Sequence, residues 1–204
     1  MDRIKFLVNA QSQRGTNRKI NQDCIGIRNW RNDQTLSDQI TIKIEANDSP
    51  ELFLLADGIG GHAAGEVASR TAVDTIFQNF RTGDDFNIRS AMFEAHTKLS
   101  LADTNSLRPM GTTIVGLILD QQNAEFFNLG DSRAYKFNKM NLIQITKDDV
   151  SNSNRRNVVN QCLGGGISLP MPNIFYCEYS KGDTFLLISD GISGFLSKDE
   201  IYNI

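Results

Sequence analysis

Cysteine is scarce in this 204-residue chain: three occur, at positions 24, 162 and 177, and no two stand in a Cys-x-x-Cys or Cys/His ligand spacing. An odd number so placed supports neither a disulfide framework nor a zinc site, and a reducing cytoplasm is the compartment it fits. Long apolar runs are missing as well. The stretch after Met1 is too short for a signal peptide, and nothing approaches the ~18 apolar residues of a membrane span, so a cytoplasmic protein with no membrane partner is expected. Positive charge is not in excess: 21 Lys and Arg against 24 Asp and Glu give a net charge of -3, with basic residues scattered apart from short pairs such as Arg155-Arg156. That excludes the electrostatic footprint of a nucleic-acid binder. Internal repeats and low-complexity tracts are absent too. What is present, 40% hydrophobic and 22% charged residues, describes a soluble globular chain whose residues 1-204 are of single-domain size.

The stretch around which the rest is organised is Leu52 to Ala68. Leu52-Phe53-Leu54-Leu55-Ala56 is apolar on successive residues and ends in a glycine cluster, which suits a strand buried on both faces. Asp57 then stands at the strand's end, where burial stops. Gly58, Gly60 and Gly61 let the backbone turn sharply and offer a carbonyl beside the carboxylate, a pairing that a hard cation accepts. An isolated Asp-Gly also serves turn geometry alone, and the choice depends on whether other carboxylates converge.

Elsewhere the pattern is mixed. Alternation over Ile4–Gln11 predicts a first strand, and Cys24–Arg28 a second, antiparallel to it. Asn29–Ser49 reads as a surface hairpin or ribbon around the alternating Ile40–Ile44. Three-four spacing predicts one helix from Ala64 to Phe80 and another from Ile88 to Ala102, packed on one face of a sheet. His96, on the second, reads as a surface or satisfied histidine. From Gly111 to Ile145 short strands and turns predict a meander. Strands at Ile174–Tyr179 and Thr184–Ile188 follow, the latter leading into Ser189-Asp190-Gly191. Two apolar strands ending in Asp-Gly, with Asp23 and Asp131 also at strand ends, would gather carboxylates that repel one another unless cations sit between them. Scattered turn aspartates remain the alternative on this reading.

Six segments, Arg18-x-x-Asn21-Gln22-Asp23, Asp57-Gly58-Ile59-Gly60-Gly61-His62-Ala63-Ala64-Gly65-Glu66, Gly111-Thr112-Thr113, Gly130-Asp131-Ser132-Arg133, Thr146-Lys147-Asp148-Asp149 and Ser189-Asp190-Gly191, follow one another in a recognisable order. The chain thereby resembles the bacterial form of the metal-dependent Ser/Thr protein phosphatases of type 2C, the PPM family, over nearly its whole length. The resemblance implies an α+β fold, a four-layer α-β-β-α sandwich of two antiparallel sheets flanked by helices. It implies two Mn2+ or Mg2+ ions bridged by Asp57, with the Gly58 carbonyl on the second, Asp190 on the first, and Asp23 acting through metal-bound water. Asp131, with Asp190, matches a third, weaker metal position. Arg18 matches the residue that grips the substrate phosphate, a role that the guanidinium fork suits. His62 could protonate the leaving seryl oxygen, cap the following helix or order the metal waters. The implied reaction is attack of a metal-activated water on phosphoserine or phosphothreonine in proteins, the cysteines being structural. The implied partners are phosphorylated proteins, substrates of an opposing Ser/Thr kinase, and a monomer is expected.

Three departures qualify the resemblance. The family's flap is reduced to Val150–Arg156, Gln22 stands where many members carry Glu, and the closing Asp-Asn motif has no counterpart before Ile204. The last departure leads to the expectation of a C-terminally truncated domain, either a fragment or a naturally shortened member, with weakened metal binding. The second functional reading is therefore a catalytically impaired pseudophosphatase that acts as a phosphoprotein-binding or regulatory module.

Overall fold

In the computed structural model the described residues are 5–16, 18–35, 37–45, 49–59, 64–82, 86–102, 109–120, 123–138, 141–151 and 159–203. His62, with Gly60 and Gly61, and the segment 152–158 that holds most of the expected flap lie outside them. The elements in chain order are β1 (Lys5–Ser12), β2 (Asp23–Ile27), β3 (Trp30–Arg31), β4 (Asp38–Glu45), β5 (Glu51–Ile59), α1 (Gly65–Thr82), α2 (Ile88–Ala102), β6 (Gly111–Thr112), β7 (Ile114–Leu119), β8 (Asn123–Leu129), β9 (Arg133–Asn138), β10 (Asn141–Gln144), β11 (Leu163–Gly164), β12 (Asn173–Glu178), β13 (Thr184–Ile188), α3 (Asp190–Ser193) and α4 (Lys198–Tyr202).

Because β5 is apolar on both faces it occupies the centre of an eight-stranded antiparallel sheet, between β2 on one edge and β6 and β7 on the other, with β8 and β12 beyond β7. Its Leu52, Leu54 and Ala56 side chains enter one core and Phe53 and Leu55 another. The first core lies under α1 and α2, whose Ala72, Ile76, Met92 and Leu99 are fully buried against the sheet. Each large apolar side chain so covered contributes about 1.5–3 kcal/mol relative to exposure. The second core lies between the large sheet and a second layer in two pieces, the ribbon β1-β4 and the sheet β10-β9-β13. Beyond that layer α4 sets Ile201 against Tyr135, Leu142 and Ile188 and supplies a short outer helical cover. The order helix, sheet, sheet, helix is the α-β-β-α sandwich expected.

Two pairings and the burial of one strand differ from the sequence reading. β2 pairs not with β1 but with β5, from Asp23↔Asp57 to Ile27↔Phe53, while β1 pairs with β4 from Lys5↔Glu45 to Ser12↔Asp38. The physical reason is burial: Cys24 and Ile27 are sealed in opposite cores, whereas the alternation of β1 suits a ribbon with one face open. The meander also breaks. β7 pairs with β8 and β9 with β10, but between β8 and β9 the chain leaves the large sheet at Gly130-Asp131-Ser132 and enters the other one. Finally, β13 is only half-buried rather than sealed, because it borders a cleft of about 1730 Å³ that separates it from β1. His96 is the satisfied histidine of the two readings: it is buried, and its Nδ1 accepts the Gly164 N–H at 3.1 Å.

Candidate metal centre

At one end of the sandwich both sheets deliver carboxylates. The antiparallel register of β2 and β5 sets Asp23 directly opposite Asp57. The register of β9 and β13, which ends at Ile188↔Arg133, sets the loop holding Asp131 beside the start of α3 at Asp190. Two hydroxyl bridges join the sheets here. Ser189 Oγ donates to Asp23 Oδ2 at 2.8 Å. Thr113 Oγ1 lies 2.8 Å from Ser132 Oγ and accepts the Asp57 N–H at 3.2 Å. Thr113 also donates its own N–H to the Asp57 carbonyl, which accepts Thr112 Oγ1 as well. The backbone of Asp57 is thus fixed on every side.

Glycine is required at two points. A Cβ on Gly58 would lie 2.2 Å from the Gly65 carbonyl oxygen, so only glycine lets the end of β5 meet the start of α1. Gly130 has φ +100°, and a Cβ there would meet Thr113 Cγ2 at 2.7 Å. This left-handed residue redirects the chain between sheets and places Asp131 next to the buried Ser132.

The electrostatics follow from crowding. Burial pushes the Asp57 carboxyl up to about 10, helped by the charges of Asp23 and Asp190 and, more weakly, Asp131. Asp23 is raised by burial, against the opposing bond from Ser189. Asp131 is raised by burial and by the charge of Asp190. The Asp57 carboxyl interacts with those of both Asp23 and Asp190. Carboxylates packed this closely can share protons or share cations. Among the described residues no three His, Cys, Asp or Glu side chains form a ready-made coordination cage. Nevertheless an all-oxygen set in which Asp23, Asp57 and Asp131 are each pushed toward the protonated form is chemically suited to hard divalent cations, which favour the ionised carboxylates.

Of the residues singled out in the sequence, Asp23, Asp57, Asp131 and Asp190 come together, and Gly58 lies beside them through its pairing with Thr112. Arg18 is exposed on the loop before β2. That loop is pinned by buried Asn21, whose Nδ2 donates to Ser12 Oγ and whose Oδ1 accepts the Asp23 N–H. Sequence reasoning missed several supports. Buried Asn32 donates to the Asp23 carbonyl and to Ser12 Oγ, although it lies in a segment that reads as surface ribbon. Thr113 and Ser189 lie within the motifs, but their bridging role does not show in the sequence. Arg133 grips Asp148 through Nε and Nη2 and closes the base of the Asp131 loop.

The family model described as protein phosphatase 2C matches residues 25–203. The serine/threonine phosphatase stp of Listeria monocytogenes is 29% identical over 188 residues, covering 78% of this chain and 73% of that protein. The serine/threonine protein phosphatase PstP of Mycobacterium tuberculosis is 29% identical over 192 residues, 81% of this chain and 37% of PstP. The crystal structure of PstP matches with a TM-score of 0.73 at 26% identity over 97% of this chain and 84% of that one. A structure of its catalytic domain in complex with two manganese ions matches with a TM-score of 0.71 at 25% identity, over 98% and 84%. Stp1 from Staphylococcus aureus reaches 0.77 at 24% identity, over 98% and 82%, a likeness of fold alone. The family model matches well over half of the chain, from within β2 to the end of α4, and the sandwich agrees with it: this chain belongs to the protein phosphatase 2C family.

Proposed function

We propose that this chain hydrolyses phosphoserine and phosphothreonine on proteins with two Mn2+ or Mg2+ ions held at the convergent carboxylates. The observation that carries the reading is the meeting of Asp23 and Asp57 from one sheet with Asp131 and Asp190 from the other, Asp57 standing at about 10 without a cation. Asp57 would be shared between the ions, with the Gly58 carbonyl and Asp190 completing their protein ligands. Asp23 would order bound water, and Asp131 would serve a third, weaker ion. When bound, the ions supply an activated water and neutralise charge on the transferring oxygens. Arg18, exposed on the loop that leads to Asp23, would hold the phosphate by bidentate hydrogen bonds and orient it for in-line attack. The buried Ser189 and Thr113 hydroxyls would keep the carboxylates in register without entering the chemistry. His62 would protonate the leaving seryl oxygen, and His62→Ala should then make turnover fall more steeply with rising leaving-group pKa.

The substrates would be phosphoproteins made by a Ser/Thr kinase, acted on by a cytoplasmic monomer. No helix among the described residues is long and apolar enough to cross a membrane. The test is phosphate release from phosphothreonine peptides with and without Mn2+. Metal-dependent turnover that disappears in Asp57→Ala supports the reading. Phosphopeptide binding with no turnover in the Mn2+-supplemented chain would overturn it in favour of a binding module.

A further inference from the structure

Asp149 is the acidic residue near the site that the proposed chemistry leaves unused. Its neighbour Asp148 is already engaged by Arg133. Asp149 instead closes a two-bond ring on Gly130: its Oδ2 accepts the Gly130 N–H at 3.0 Å, and its own N–H donates to the Gly130 carbonyl at 2.9 Å. The carboxylate is itself held from β12, where Asn173 Nδ2 donates to Oδ1 at 3.1 Å and Oδ2 at 3.2 Å. The Asp149 carbonyl accepts the Asn160 N–H at 2.7 Å. A second clamp comes from buried Asn128, whose Nδ2 donates to the carbonyls of Gly130 and Lys147.

Gly130 is the left-handed residue on which the placement of Asp131 depends. A left-handed backbone has few internal reasons to keep one geometry, since glycine samples both signs of φ with similar ease. Something outside the residue must select it. The Asp149 carboxylate does so by accepting the Gly130 N–H, and residue 149 connects three segments of chain, 128–131, 148–149 and 160–173, at one point. We propose that Asp149 is a positioning residue for Asp131: by fixing the Gly130 peptide it holds Asp131 where a divalent cation can use it. This rests on the two-metal reading above, but it assigns a role to a residue that touches neither cation nor substrate. The role is geometric. A carboxamide at position 149 can still accept the Gly130 N–H, and Asn173 can turn its amide to match, so charge is not what the position requires.

The experiment is a titration of Mg2+, followed residue by residue through amide chemical shifts, on the parent chain, Asp149→Ala and Asp149→Asn. Amide exchange of the metal-free proteins is measured alongside. In Asp149→Ala the apparent Kd reported at Gly130–Ser132 is expected to rise about fivefold or more, while that reported at Asp57–Gly58 changes less than about twofold. Exchange at the Gly130 amide should quicken about tenfold without change at Ala134, whose N–H is held by Thr146 Oγ1 at 2.9 Å. Asp149→Asn should recover most of both effects. Adding Asp131→Ala to Asp149→Ala should weaken binding no further. Equal loss in the Asn and Ala variants would mean that charge is the cause and would overturn the proposal, as would an unchanged profile at Gly130–Ser132. A parent chain that binds no Mg2+ at all would instead count against the two-metal reading, while a Gly130 amide unmoved in metal-free Asp149→Ala would count against Asp149 alone.

Discussion

The two faces of the large sheet are closed in different ways. Under α1 and α2 the core is sealed, with residues from Leu54 to Leu99 at or near zero exposure. On the opposite face the cover is divided between the β1-β4 ribbon and the β10-β9-β13 sheet. Among the described residues β1 pairs only with β4 and β13 only with β9, and Phe6, Val8, Phe185 and Leu187 are half-buried around the cleft between them. The carboxylate site straddles the two: Asp23 and Asp57 stand on the sealed half, Asp131 and Asp190 on the divided one. The hydroxyl bridges Ser189–Asp23 and Thr113–Ser132 are the joints. The helix-covered half is closed by apolar burial and the other half meets it at polar joints between strand ends, where bound cations would draw the two together.

The largest expected effect comes from removing the ligand that both halves share. Asp57→Ala should reduce phosphatase activity to the uncatalysed background while leaving the far-ultraviolet circular dichroism unchanged, and Asp190→Ala should do nearly the same. Undiminished turnover in either would separate the site from the chemistry.

Next in size is stability. Ile76→Ala, in the sealed core, should cost about 2–5 kcal/mol in denaturant unfolding. Leu187→Ala, beside the cleft, should cost about half as much, because less area is removed from water and neighbours can relax into open space. Equal costs would show that the two faces are equally closed.

The sequence disclosed the sealed half better than the divided one. β5 was legible because burial on both faces leaves a continuous apolar run, and α2 because its three-four spacing runs from Ile88 to Ala102 without interruption. The partner of β2 was not legible, since pairing is decided by distant residues competing for the centre of a sheet. The passage between sheets at Gly130 resembles an ordinary hairpin turn in one dimension. Only the contact with Thr113 and the hold of Asp149 reveal its direction. The site aspartates were readable from their positions at strand ends. Asn32, Ser189, Thr113 and Asp149 were not, because a buried or half-buried polar residue that serves a distant group leaves no periodic trace.

A smaller effect concerns pH. Asp57 without metal is held at about 10, above the ordinary 3.8. A carboxyl raised in the folded state contributes stability that is full below the unfolded pKa and lost as pH climbs toward the folded one. The melting temperature of the metal-free protein should therefore fall between about pH 6 and about pH 9, and saturating Mn2+ should remove that fall. A melting temperature that rises over this range in chelator would contradict the crowding of carboxylates described above.

Smallest of all, Arg18→Ala should raise KM for a phosphopeptide about three- to tenfold with kcat within about twofold, because an exposed guanidinium grips substrate and transition state alike. A large fall in kcat at constant KM would place Arg18 inside the chemistry instead.

The claim that cations at the strand ends hold the divided half against the sealed one is tested most directly by amide hydrogen exchange with and without Mn2+. Protection should rise in Thr184–Ile188, in the Gly130–Ser132 loop and at the ends of β2 and β5, stay unchanged in α1 and α2, and fail to rise in Asp57→Ala. Protection that does not respond to Mn2+, or that rises equally in Asp57→Ala, would contradict the account.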